Sequence, residues 1–132
     1  MLTEQLTVRF YETDALGHVN NTVMPQWFET GRIPLFGLFS EQENISLIAA
    51  NLNVDFIRPV YFGHPVTLNT FISRIGNSSF EIGTEVWQLD ELCAKGMTVM
   101  VHYDYANTRS VPLAESIKAK LCEYAHPERP IA

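Results

Sequence analysis

Hydrophobic residues change their spacing along the chain, and each change predicts a new element of secondary structure. In residues 6–10 the apolar side chains alternate with polar ones, a pattern typical of a strand with one buried face. Across residues 22–39 they recur every three or four positions, which predicts a helix. Bulky apolar groups cover almost all of this helix, so we expect it to be buried on more than one side. Pro34 lacks the N–H that a helix interior uses, so we expect the helix to kink or to end near residues 31–33.

The alternating pattern returns in four later segments, at residues 46–58, 66–72, 80–86 and 97–105. Short turns separate them, so we expect consecutive strands to be antiparallel neighbours. Leu113, Ile117 and Leu121 are spaced by four, which predicts a short C-terminal helix at about 113–124. The order of strand, long helix, four strands and short helix favours an α+β fold. In its simplest form a five-stranded antiparallel sheet wraps around one central helix.

The length and the strand edges bear on domain number and assembly. The chain has 132 residues, of which 46% are hydrophobic, and this fits one domain over residues 1–132 with a single core. An open sheet has two edges, and open edges favour pairing with a second copy of the chain. We therefore expect a homodimer or a homotetramer, with C2 as the commonest symmetry for a dimer.

The balance of charge excludes two classes of partner. Lys and Arg total 9 and Asp and Glu total 15, so the formal net charge is -6. A nucleic-acid partner requires a dense basic face, and a polybasic lipid anchor requires clustered cations. No apolar run approaches the ~20 residues of a membrane span.

The cysteine and histidine positions give no metal or redox motif. Cys93 and Cys122 cannot build a disulfide framework and lie outside any C-x-x-C pattern. The 4 histidines form no H-x-x-x-H pair, so we expect neither a metal nor a cofactor. Residues 1–5 lack the basic start and apolar run of a signal peptide, which favours the cytoplasm.

Residues 11–21, YETDALGHVNN, concentrate polar groups just before the predicted helix. A helix start offers backbone N–H groups without intrahelical partners and a partial positive charge, which in a cleft can stabilise an oxyanion. Asp14 precedes Asn21 closely enough for a folded loop to face the same place. Its carboxylate could attack a carbonyl or take a proton from water. This arrangement indicates hydrolysis of an activated acyl compound.

Each of these residues also has a structural interpretation. Asp14 could simply form a turn with Gly17, and Gly17 could supply a positive φ. His18 could bind or polarise a substrate, or only be solvated. Asn20 and Asn21 are candidates both for contacts with the substrate and for the helix N-cap.

A longer stretch resembles a known family. Residues 8–21, VRFYETDALGHVNN, followed by WFE at 27–29 and by Arg32, are similar to the 4-hydroxybenzoyl-CoA thioesterase family, as is FIRPVYFG at 56–63. The similarity in element order covers roughly residues 3–110. Members have the hotdog fold and many are acyl-CoA thioesterases. The resemblance therefore implies that fold, that activity and an acyl-CoA substrate.

The resemblance also implies roles for particular residues. The family's catalytic aspartate corresponds to Asp14, and the helix-start amide that polarises the thioester carbonyl corresponds to Asn21 or a neighbour. Gly17 and His18 correspond to the glycine and the histidine of the family's loop. Many relatives have Gly-Asp in a later turn where this chain has Gly-His at 63–64, so the contribution of that turn to binding is open.

Further residues are candidates for substrate binding. Arg58, beside a turn, is the best candidate for a contact with the phosphates of coenzyme A. Ser78 and Ser79, at a hairpin tip, could reach a ligand across a dimer interface. Trp27 could line an acyl pocket or belong to the core.

Three alternatives remain open. Glu29 on the helix could act as the base, although an ion pair with Arg32 three residues later is the simpler role. A hotdog dimer could hold an acyl thioester without turnover, because a fold does not determine a function. The acyl group could instead be attached to acyl carrier protein, which would require a locally basic face on this acidic chain.

Overall fold

A computed structural model describes residues 1–39 and 45–132 and shows a curved antiparallel sheet around one helix. This confirms the predicted α+β architecture of a hotdog fold. In chain order the elements are β1 (Leu2–Leu6), α1 (Met24–Phe36), β2 (Ile45–Phe56), β3 (Val66–Ile75), β4 (Ser79–Gln88), β5 (Glu91–Asp104), β6 (Arg109–Ser110) and α2 (Glu115–Leu121). Single 3-10 turns lie at Phe10–Glu12, Asn21–Val23 and Cys122–Tyr124.

The order of strands across the sheet is β1-β3-β4-β5-β2, with the two-residue β6 beside β5. The expectation that consecutive strands are neighbours is right for β3, β4 and β5 and wrong for β2. That strand pairs with β5, from Ile45 opposite Asp104 to Phe56 opposite Ala94. Residues 57–65, here called the crossing segment, therefore pass over one end of the sheet before β3 begins. Local alternation predicts a strand but does not identify its partner.

Helix α1 buries one face against the sheet. The buried residues recur at helical steps and are Met24, Trp27, Phe28, Gly31, Arg32 and Leu35. The opposite face is open in the single chain, where Ile33 is 55% exposed. The expectation of burial on more than one side is therefore wrong for this chain alone, because the sheet covers α1 from one direction only.

Helix α1 continues through Pro34 to Phe36, so of the two effects predicted for Pro34, an end of the helix near residues 31–33 is wrong. A proline this close to a helix end removes one backbone hydrogen bond and disturbs one turn. Leu35, the next residue, is completely buried in the core. Packing of that side chain offsets the local cost of the proline.

The first strand lies earlier in the chain than residues 6–10. Strand β1 pairs with β3 and ends where Leu6 lies opposite Val66. Val8 is then buried in the core, whereas Phe10 is 76% exposed in a 3-10 turn. The alternation beyond Leu6 therefore reflects one buried side chain and one exposed ring, and the strand prediction for this segment is wrong.

Two apolar clusters lie along α1. The first contains Met24 and Phe28 near the start of the helix, and the second contains Leu35 near its end. Between them α1 approaches β3 so closely that a Cβ on Gly31 would lie 2.5 Å from the Thr70 hydroxyl oxygen. The helix is thus held against the middle of the sheet by a contact that only glycine permits.

A second glycine makes room on the sheet side. A Cβ on Gly96 of β5 would overlap the carbonyl oxygen of Asn53 on β2 and lie 2.6 Å from the Phe28 ring. The ring of Phe28 therefore rests on bare backbone at this point. The carbonyl cannot move without disturbing the pairing of β2 with β5.

We predict that Gly96→Ala lowers the free energy of unfolding by about 1–3 kcal/mol, because the core must shift to accept one methyl group. Urea unfolding followed by circular dichroism measures this. Gly37→Ala is the matched control, since Gly37 has a helical φ of -66° and a Cβ there would meet Pro34 oxygen at an ordinary 3.6 Å. Equal stability of the two variants would show that the Phe28 contact does not require glycine.

Candidate active site

Asp14 opens a tight turn that ends at Gly17. The Gly17 N–H donates to the Asp14 carbonyl oxygen at 3.1 Å, and Gly17 has a φ of +83°. The Leu16 N–H donates to Asp14 Oδ1 at 2.9 Å, so the turn itself orients the carboxylate. The side chain of Asp14 is 27% exposed. The carboxylate is therefore fixed at one oxygen and accessible.

The turn closes a short hairpin over residues 12–20, here called the Asp14 hairpin. The Asp14 N–H donates to the His18 carbonyl oxygen and the Asn20 N–H donates to the Glu12 carbonyl oxygen, each at 2.9 Å. Thr13 and Val19 form a β-bridge between these two bonds. His18 Nδ1 lies 4.0 Å from Asp14 Oδ1, which is beyond hydrogen-bond distance. Both side chains emerge from one end of this hairpin.

The hairpin leads directly into the start of the helical region. Asn20 is the N-cap, because its Oδ1 accepts from the Thr22 N–H at 2.9 Å and from the Thr22 hydroxyl at 2.7 Å. Asn21 is the first residue of the 3-10 turn that precedes α1, and it is exposed. Its backbone N–H makes no hydrogen bond with the described residues. This free amide stands at the positive end of the helix dipole.

A cavity of about 240 Å³ lies beside the helix start. His18 and Asn21 line it together with Arg58 from the crossing segment. Arg58 is exposed and forms an ion pair with Glu91, at 3.6 Å from Nε to Oε2. The structure thus brings three of the candidate residues to one cavity. Asp14 lies on the hairpin that supplies His18 to its wall.

Three other candidates lie elsewhere in the single chain. Trp27 is only 5% exposed, in the core cluster at the helix start, and its Nε1 donates to Glu12 Oε2 at 2.9 Å. Ser78 and Ser79 lie at the turn between β3 and β4. This turn is at the far end of the ten-residue β3 from the hairpin, roughly 30 Å away at 3.3 Å per residue. One chain does not bring these serines to Asp14.

Glu29 lies on the exposed side of α1 and pairs with Arg32 at 3.7 Å. The predicted ion pair between these two side chains is confirmed. Glu29 is not among the residues that line the cavity beside Asn21.

Glu12 is a supporting residue that the sequence analysis missed. Its Oε1 accepts from the Arg9 N–H at 2.7 Å while its Oε2 accepts from Trp27, so it ties the hairpin to the helix core. The spacing of Arg9 and Glu12 is that of a capping box. The sequence analysis overlooked this capping box because the motif is recognised by Ser or Thr at its first position, where this chain has Arg9.

The described residues contain neither a metal-binding cluster nor a membrane-spanning helix. Within 1–39 and 45–132, no three or more His, Cys, Asp or Glu side chains are grouped so that they could hold a metal ion. None of the helices in these ranges is long and apolar enough to span a membrane.

An antiparallel sheet that wraps around one helix defines a hotdog fold, and the comparisons with known proteins give the class of protein. The chain belongs to the thioesterase-like superfamily, whose family model matches residues 8–121. This confirms the resemblance inferred from the sequence and the enzyme class. The chain is a thioester hydrolase.

Solved structures agree over nearly the whole chain. A protein described as "a predicted thioesterase" from Bacillus stearothermophilus is 38% identical, with a TM-score of 0.86, and the match covers 97% of each chain. A thioesterase from Thermus thermophilus, solved in complex with coenzyme A and zinc, is 31% identical with a TM-score of 0.79. That match covers 90% of this chain and 95% of the other.

One similar sequence has a named substrate. The 1,4-dihydroxy-2-naphthoyl-CoA hydrolase of Nostoc punctiforme is 28% identical over 123 residues, which is 87% of this chain and 82% of that protein.

We predict that Gly17 tolerates asparagine better than valine. No atom lies within 4 Å of a Cβ built there, so any cost comes from the backbone conformation alone. Asparagine adopts positive φ more readily than a β-branched residue does. Thermal unfolding should therefore show a smaller decrease in Tm for Gly17→Asn than for Gly17→Val. Equal decreases would mean that the turn does not retain its positive φ.

Proposed function

We propose that the chain hydrolyses an acyl-CoA thioester to a carboxylic acid and coenzyme A, with Asp14 as the catalytic carboxylate. The observation that carries this proposal is the hairpin geometry. It presents an accessible Asp14 carboxylate immediately before a helix start whose Asn21 N–H makes no hydrogen bond within residues 1–39 and 45–132. Membership in the thioesterase-like superfamily supports the reaction class.

The proposed chemistry assigns the Asn21 N–H to the thioester carbonyl oxygen. Negative charge develops on that oxygen as a tetrahedral centre forms, and the N–H together with the helix dipole stabilises it. Asp14 then acts in one of two ways. As a nucleophile it attacks the carbonyl carbon, expels the coenzyme A thiolate and leaves a mixed anhydride that water hydrolyses. As a general base it takes a proton from the water that attacks. The tetrahedral intermediate then breaks its C–S bond, and the departing coenzyme A thiolate takes up that proton.

His18 and Arg58 take binding roles in this proposal. His18 lines the same cavity as Asn21, where its ring can contact or polarise the acyl thioester. Arg58, exposed at the cavity, would bind a phosphate of coenzyme A, because guanidinium groups match phosphate oxygens well. The coenzyme A bound to the similar Thermus thermophilus thioesterase supports this class of ligand.

We further propose that the protein is a homodimer built from one-domain chains of residues 1–132. Strand β2 is an edge strand of 12 residues and would pair with β2 of a second copy. The exposed face of α1 would be covered in the same assembly. Ser78 and Ser79 of one chain could then reach the ligand held by the other. A homotetramer would combine two such dimers, and a cytoplasmic location remains a prediction from the sequence.

We predict that Asp14→Asn reduces thioester hydrolysis by about 100-fold or more, since acid–base and nucleophilic groups contribute at least this much. The assay is thiol release from short, medium, long and aryl acyl-CoAs, including a hydroxynaphthoyl thioester. Glu29→Gln is the control and should retain wild-type turnover, because its ion pair lies outside the cavity.

Three results would contradict parts of this proposal. Wild-type turnover by Asp14→Asn would remove Asp14 from the reaction, and a loss in Glu29→Gln would favour the helix carboxylate. Tight acyl-CoA binding without thiol release would indicate a binding module. Thiol release from acyl carrier protein thioesters alone would show that the acyl group of the substrate is attached to that protein and not to coenzyme A. In single-turnover hydrolysis in oxygen-18 water, label in the Asp14 carboxylate would establish the nucleophilic role, since water that attacks the aspartyl carbonyl of the anhydride leaves its oxygen there. Label in the product acid alone fits both roles, and rapid-quench detection of a covalent acyl-Asp14 adduct then separates them.

We predict that Ala50→Pro weakens the dimer while leaving the chain folded. Ala50 lies at an irregularity of β2 and has no partner residue on β5, and bulges are among the few places where a strand accepts proline. Sedimentation equilibrium should show a larger dissociation constant for the variant, with an unchanged far-ultraviolet circular dichroism spectrum. An unchanged dissociation constant would exclude β2 pairing as the dimer contact.

A further inference from the structure

Gln88 is a buried polar residue that the proposed chemistry does not use. It ends β4 and is 4% exposed. Its Oε1 accepts from the Tyr61 N–H at 2.8 Å, and its Nε2 donates to the carbonyl oxygens of Tyr61 at 2.8 Å and His64 at 3.0 Å. The side-chain amide therefore pairs with the backbone of Tyr61 as a neighbouring strand would.

The segment that Gln88 holds is the crossing segment. Its first residues are tied to β5, where the N–H groups of Ile57 and Arg58 donate to the Cys93 carbonyl oxygen at 2.8 and 3.0 Å. Farther along, Tyr61 is 48% exposed. The three bonds of Gln88 connect this exposed part of the segment to the sheet.

The crossing segment in turn supports the Asp14 hairpin. The Val19 N–H donates to the Val60 carbonyl oxygen at 2.8 Å, and His18 forms a β-bridge with Tyr61. The rings of His18 and Tyr61 meet edge to face at 5.9 Å between centroids. The His18 carbonyl oxygen accepts from the backbone N–H of Asp14, so a short path of main-chain bonds leads from Gln88 to Asp14.

We propose that Gln88 is a positioning residue for hydrolysis, acting through Tyr61 on the Asp14 hairpin. The hairpin and the helix start meet at Asn20, so a displacement of the hairpin changes the separation between the Asp14 carboxylate and the Asn21 N–H. An error of about 1 Å at a reacting centre can reduce a rate 100-fold. This inference rests on the proposed function of Asp14.

The three hydrogen bonds from Gln88 to the crossing segment are here called the Gln88 clamp. Two replacements of Gln88 test this clamp in different ways. Gln88→Met keeps the approximate shape and removes all three hydrogen bonds. Gln88→Glu keeps the acceptor for the Tyr61 N–H but places a carboxylate oxygen against two carbonyl oxygens. Gln5→Glu makes the same chemical change at an exposed position of β1, where the side chain makes no hydrogen bond with the described residues.

The expected result is a decrease in kcat of about 10-fold or more for both Gln88 variants, with KM changed less than threefold. In Gln88→Glu the pKa of the new buried carboxyl should be raised, because carbonyl oxygens and burial disfavour its charged form. Protonation at low pH restores a donor, so the ratio of variant to wild-type kcat should increase as pH falls. Taking this ratio removes the pH effects that are common to both proteins.

A second readout follows the clamp without using activity. Amide hydrogen exchange at Tyr61, Val19 and Asp14 should become faster in Gln88→Met and stay unchanged in Gln5→Glu. Unchanged exchange in Gln88→Met would overturn the clamp. Faster exchange with wild-type kcat would overturn its role in positioning, as would equal losses of kcat in Gln88→Met and Gln5→Glu. Asp14→Asn measured in the same assay distinguishes the two proposals, because full activity there contradicts the function itself.

Discussion

Burial of one face of α1 against the sheet is the constraint on which the rest of the structure depends. The Gly31 contact with β3 and the Phe28 contact over Gly96 fix the helix at its middle, both across the sheet and along it. The helix start is consequently held at one end of the sheet. The crossing segment passes over this same end because β2 and β3 are not neighbours. The Asp14 hairpin lies between the helix start and that segment, and it is bonded to both.

The interior also contains polar side chains, which lie between the two apolar clusters. Arg32 is buried, and burial lowers the pKa of its guanidinium although Glu29 acts in the opposite direction. Its Nε and Nη1, and the hydroxyl groups of Thr84 and Thr98, make no hydrogen bond with the described residues. Each such group costs about 1–3 kcal/mol when desolvated.

Sequence patterns predicted the parts of this fold that depend on local spacing. The helical period around Phe28 and the alternation of β3, β4 and β5 are visible because each element presents one face to the core. The neighbour of β2 was not predictable in this way, since its partner β5 comes three strands later in the chain. For Pro34 the local pattern was visible but gave the wrong result. The rule that proline ends a helix was outweighed by the burial of Leu35 in the core.

The candidate site likewise contains residues that local sequence patterns can identify and residues that they cannot. Asp14, Gly17, His18 and Asn21 were predicted as site residues from the sequence because one hairpin runs straight into one helix, so these candidates are contiguous in the chain. Their support is not contiguous. Gln88 looks like an ordinary end of a strand until its amide is seen against Tyr61, and only its place on the inward-facing side of β4 could have drawn attention to it. A contiguous motif thus supplies the candidate reacting groups, while the contacts that hold the motif in place come from residues that it does not contain.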